Sequence, residues 1–128
     1  MKTPKVSFLL AVVWLLLATT LHCIPGSRIP KINWQDKILL DKWVHFFLFL
    51  ILVLLWCAYF VKGSKVKVEA IFLKITILSM IYAIGMELVQ HFFIPLRSFA
   101  FGDILADGLV SIAGYFISLK RFVKNKID

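Results

Sequence analysis

The chain has 128 residues, 61% of them hydrophobic, with a mean hydropathy of +0.90 and a formal net charge of +8. That length allows one domain, residues 1–128, and a soluble domain of this size has too little interior for an apolar content well above roughly 45–50%. The positive charge does not imply nucleic acid, because no basic groove or motif accompanies it; lysines beside apolar runs orient a membrane protein and meet anionic head groups.

A membrane-crossing helix needs roughly 20 mainly apolar residues. Four stretches meet that requirement, at about 6–24, 41–61, 70–94 and 101–119. The expected fold is therefore an all-α membrane protein, a bundle of four transmembrane helices. Lys2 and Lys5 precede the first stretch, and Phe8 to Ala18 form its apolar core. No A-x-A cleavage site follows that core, so the first stretch reads as an uncleaved anchor rather than a signal peptide. Pro25-Gly26 ends it, because proline lacks an N–H and glycine accepts a left-handed cap. Lys62-Gly63-Ser64-Lys65 separates the second and third stretches, and Pro95 ends the third. Cys23 and Cys57 fall near opposite membrane faces in this topology, which argues against a bridge between them.

Orientation follows from the basic residues. Ten (Lys2, Lys5, Lys62, Lys65, Lys67, Lys74, Lys120, Arg121, Lys124 and Lys126) fall on one side of this topology. Five (Arg28, Lys31, Lys37, Lys42 and Arg97) fall on the other. The richer side is expected in the cytoplasm, with both chain ends, and the long connection from Pro25 to Leu40 outside.

An ionisable side chain inside a span costs a few kcal/mol, so it is a functional candidate by default. Nearly all such residues collect at the outer end. Asp41, Lys42 and His45 open the second span; Glu87, Gln90 and His91 close the third. Arg97 lies just beyond, and Asp103 and Asp107 open the fourth. Glu87 and Asp107 are expected at matching depths of roughly 9–10 Å, with His45 shallower. Asp41 and His45, Glu87 and His91, and Asp103 and Asp107 are each spaced i,i+4, on one helix face. Thr76, Ser79, Ala83, Glu87 and Gln90 form a small or polar stripe on the third helix. Asp103, Asp107, Ser111, Gly114 and Ser118 form another on the fourth. Such stripes pack helices closely in lipid, so both are expected to face inward, toward each other. Phe8, Leu16, Leu54 and Phe116 are expected toward lipid. His22, alone at the end of the first span, is assigned to the interface without a role, and Trp34, Phe99 and Phe101 to an aromatic belt.

Four carboxylates (Asp41, Glu87, Asp103, Asp107) face two fixed cations (Lys42, Arg97) in this zone, which leaves an uncomfortable negative surplus for a half-buried site. Protonating a carboxylate, charging His45 or His91, or binding a cation, metal or amine-bearing ligand would remove it. No metal site is assigned, and no cofactor is expected.

The residues Asp41-Lys42-x-x-His45, Glu87-x-x-Gln90, Arg97 and Asp103-x-x-x-Asp107-Gly108, in that order, resemble the VanZ-like family of small bacterial membrane proteins. Pro25-Gly26-Ser27 and the Gly108/Gly114 spacing are similar too, and the resemblance runs from about Pro25 to Phe116. It implies a multi-pass protein of the bacterial cell membrane, in a family whose namesake gives low-level resistance to the glycopeptide teicoplanin. The family usually carries asparagine where this chain has Asp107, so Asp107→Asn is expected to be tolerated or stabilising.

The expected function is non-enzymatic: an outward-facing polar pocket that binds an envelope lipid or a cell-wall precursor head group. Its ligand-binding residues are Asp41, Lys42, His45, Glu87, Gln90, Arg97, Asp103 and Asp107. Lys42 and Arg97 would hold phosphate, Arg97 with bidentate geometry, and Glu87 and Asp107 an amine or hydroxyls. The alternative is an intramembrane enzyme on a lipid-linked substrate, with His45, Glu87 and Asp103 as catalytic candidates. A transport role would need a second copy of the chain. The expected partners are otherwise the lipid bilayer and a lipid-linked or phospholipid head group.

Overall fold

The computed structural model describes residues 4–25, 34–62, 67–95 and 101–123, with side chains from Lys5 and, in the second segment, from Lys42 onward. Every element in it is helical: α1 Pro4–His22, α2 Trp34–Phe60, α3 Val68–Phe93 and α4 Phe101–Ser118, the last widening into a π-helical turn at Leu119–Val123. All four helices are long and apolar enough to cross a membrane.

Local chemistry fixes the helix ends. Pro4 stands at the first helical position of α1, where its missing N–H costs nothing. Glu69 sits in the first turn of α3, where a carboxylate complements the positive end of the helix dipole. At the far end Ile94 turns extended, with φ −103° and ψ 119°. The ring of the following Pro95 clashes with a helical conformation at that residue, so α3 stops there.

One boundary differs from expectation. α2 begins at Trp34, seven residues before the predicted start at Asp41. The stretch Trp34-Gln-Asp-Lys-Ile-Leu-Leu contains no glycine or proline, so nothing in it stops a helix. A hydropathy window starts where apolarity begins; a helix starts where its backbone can.

α2 lies at the centre, packed against α1, α3 and α4, and α4 also packs along α3. Around the midpoint of the bundle Ala18, Leu48, Phe49, Leu52, Ala83 and Val110 form one buried cluster. Val53, Cys57, Val61 and Phe72 form a second, toward the end where α2 gives way to α3. Polar ties cross between helices. Trp14 Nε1 donates to the Leu48 carbonyl at 2.9 Å, and the Thr19 and Tyr82 hydroxyls lie 2.7 Å apart. Lys62 Nζ donates to Ser7 Oγ at 2.7 Å.

The outer surface of the bundle is apolar. Leu16 is 61% exposed, Leu109 68% and Phe93 78%, and similar side chains line every helix. A protein in water would hide such a surface, whereas lipid tails solvate it. Phe8 and Phe116 are exposed as expected, but Leu54 is half-buried.

Both small-residue stripes are buried in full. They do not simply face each other, because α4 divides its stripe between two neighbours. Ser111 meets Ser79 of α3, with the hydroxyls 3.1 Å apart, while Gly114 meets Val53 of α2. A Cβ on Gly114 would come within 2.9 Å of Val53 Cγ1 and 3.1 Å of Val53 Cβ. Val53 is β-branched and fully buried, so it has little room to yield. Gly114→Ala is therefore expected to lose about 1–3 kcal/mol to overpacking, more than the ~1 kcal/mol that alanine gains in helix propensity. Unfolding in mixed micelles measures the loss, and Val53→Ala in the same chain should recover most of it.

Candidate functional site

α2 and α4 start at the same end of the bundle at which α1 and α3 finish, and their polar residues converge there. His45 and Asp107 form the innermost contact, with His45 Nδ1 3.1 Å and 3.2 Å from the two carboxylate oxygens, both side chains buried. That contact sets His45 level with Asp107 instead of nearer the surface as expected. Glu87 is 1% exposed, and donor atoms of His45, Glu87 and Asp103 all lie within 4.8 Å of one another. Asp103 also pairs with Lys42, 3.5 Å away, whose side chain is 44% exposed. Gly102 leaves room for that ammonium: a Cβ there would stand 3.2 Å from Lys42 Nζ.

Gln90 also ties two helices together. Its Nε2 donates to the His22 carbonyl at 2.8 Å. The last carbonyls of a helix lack intrahelical partners, so Gln90 caps α1 from α3.

His22 overturns its assignment to the interface. It is 3% exposed, and its ring lies 4.8 Å from that of His45, edge to face. Phe49 and Tyr82 close around it at centroid distances of 5.8 Å and 6.3 Å. Its Nδ1 donates to the Ala18 carbonyl at 2.7 Å, which leaves the lone pair on Nε2. The signal was in the sequence: Ser7, Ala11, Ala18 and His22 are buried at helical spacing, a third inward-facing stripe on α1. His91, by contrast, is exposed, so only Glu87 of that i,i+4 pair belongs to the centre. The side chain of Asp41, and Arg97 altogether, lie outside the described residues, as do Gly26, Ser27 and Phe99.

A lateral groove of about 380 Å³ adjoins this centre. Lys42, Trp43 and Phe46 of α2 line one side, and Ala106, Leu109, Val110 and Ala113 of α4 the other. Two alanines make the α4 wall concave. Lys42 lies both in the groove and against Asp103, so its ammonium marks the place where apolar groove and polar centre meet.

Fold and site together define an all-helical protein with four helices able to cross a membrane and a buried histidine–carboxylate centre at one end. Comparison with family models, with curated proteins and with solved structures gives no match.

Proposed function

We propose that this chain is a VanZ-like protein of the bacterial cell membrane, with both ends cytoplasmic, that binds the head group of an envelope lipid at its outer face. The ten-to-five distribution of basic residues supports the orientation, and the order of the polar residues supports the family. One observation carries the binding reading: an apolar groove of acyl-chain character ends at Lys42, beside buried carboxylates. In this reading the chain of a phospholipid or lipid-linked cell-wall precursor lies along Trp43, Phe46 and Leu109. Lys42 meets its phosphate, and Asp103 holds the ammonium in place. The resemblance adds a phenotype to test, lowered teicoplanin susceptibility in cells that express the protein.

A second reading has its own support. A carboxylate beside a histidine fixes the ring's tautomer and raises its basicity, and His45 with Asp107 is such a pair. In an intramembrane enzyme His45 would act as the base on the lipid head group. Turnover of the bound lipid by purified protein in liposomes separates the two readings.

Photo-crosslinking with an acyl-chain probe in nanodiscs tests the groove. Ala106→Trp fills it, and Lys42→Glu sets a like charge beside Asp103. Each is expected to reduce crosslinking at least tenfold, a loss of about 1.4 kcal/mol in binding. Leu78→Trp on the exposed face of α3 should leave it unchanged. Equal labelling of all four proteins would remove the groove from the binding site.

A further inference from the structure

We propose that the buried centre holds one divalent transition-metal ion, Zn²⁺ being the best match, through His22, His45 and Asp107, with Glu87 or Asp103 as the fourth ligand. Three observations converge on it. Donor atoms of His22, His45 and Asp107 all lie within 4.8 Å of one another, and so do those of His45, Glu87 and Asp103, with His45 common to both groups. All five residues are buried and come from four different helices. The Nδ1 bond to Ala18 fixes His22 in the tautomer whose Nε2 can coordinate a metal.

The geometry is close to a coordination sphere. Donors about 2.1 Å from a tetrahedral ion stand about 3.4 Å apart, so within the group of His22, His45 and Asp107 a gap as wide as 4.8 Å closes if each of two donors moves by about 0.7 Å, and the fourth carboxylate, which lies outside that group, swings in to join them. Charge points the same way. Glu87, Asp103 and Asp107 bring three buried carboxylates to one end of the bundle, and a dication would offset negative charge there. Two imidazoles with carboxylate oxygens suit zinc and its neighbours, whereas magnesium and calcium prefer all-oxygen shells. The sequence concealed the site because each helix supplies only one or two ligands, with no H-x-x-x-H or C-x-x-C spacing to reveal it.

The test uses the full chain, purified without metal in detergent and titrated with Zn²⁺, with Co²⁺ as a spectroscopic substitute. The wild-type protein is expected to retain one equivalent of Zn²⁺ through dialysis and to give the intense visible bands of tetrahedral nitrogen–oxygen Co²⁺. His22→Gln and His45→Gln, which keep side-chain volume, should each weaken Zn²⁺ binding by about 100-fold or more, since even residues outside the ligand shell cost about 10–100-fold. His91→Gln, on the exposed face, should bind as the wild type does. Mg²⁺ at equal concentration should not compete. Failure of the wild-type chain to retain Zn²⁺ overturns the proposal, whatever the variants do. Loss of binding in His91→Gln, or full binding in His22→Gln, overturns it equally, because the metal would then sit elsewhere.

Discussion

His45→Ala is expected to destabilise the bundle by about 3–5 kcal/mol, the usual cost of removing one partner from a buried ion pair. Two magnitudes compete here. Hydrogen bonds between membrane helices average only about 0.6 kcal/mol, because the separated helices find other partners in the bilayer. That figure describes neutral groups. Asp107 is a carboxylate, almost fully buried, and it touches His45 through both of its oxygens. Without the imidazole, Asp107 faces a cavity beside Phe49, and the larger figure applies. Asp107→Asn keeps an acceptor for His45 Nδ1 and removes one negative charge, so its cost should be much smaller. Unfolding of both single variants and of the double variant in mixed micelles gives their coupling. A loss under about 1 kcal/mol for His45→Ala, the range of exposed pairs, would show that the pair contributes little to the fold.

Much of this arrangement could be read from the residues because membrane physics restricts the choices. Four apolar runs and the proline breaks determine four helices, and the polar residues at one end of each then meet across the bundle. Glu87, Asp103 and Asp107 could be placed together from depth and helical face alone. The misreadings have a common cause. His22 stands alone in the sequence, yet α1 ends where its ring lies against that of His45. The apolar window places His45 near the surface, but its contact with Asp107 sets the two side chains level. The division of the α4 stripe between α2 and α3 depends on helix order around the bundle, and periodicity carries no information about that. The groove is less legible still, since Ala106 and Ala113 make a wall only against the larger Trp43 and Phe46.

Phe49→Ala is expected to cost about 2–3 kcal/mol and to disorganise the polar centre as well. Phe49 is fully buried at the junction of core and site. Its ring stacks on His45 at 6.4 Å, meets His22 edge-on at 5.8 Å and lies 5.7 Å from Tyr82. In water such a truncation removes both transfer energy and packing, about 3–5 kcal/mol together. In a bilayer the separated helix returns its phenyl group to lipid, which is as apolar as the core, so the transfer part largely cancels. The cavity remains. About 100 Å³ of lost volume at about 24 cal/mol per Å³ gives about 2.4 kcal/mol. The second consequence is geometric: Phe49 contacts both imidazoles, so without it each ring gains freedom to turn away from its partners. Zn²⁺ affinity in this variant should therefore fall even though every proposed ligand is present. Phe49→Leu, which refills most of the volume, should recover more stability than affinity, because an aliphatic side chain supports the core without a flat face for His45. Equal recovery of the two would mean that Phe49 acts on the site only through general packing.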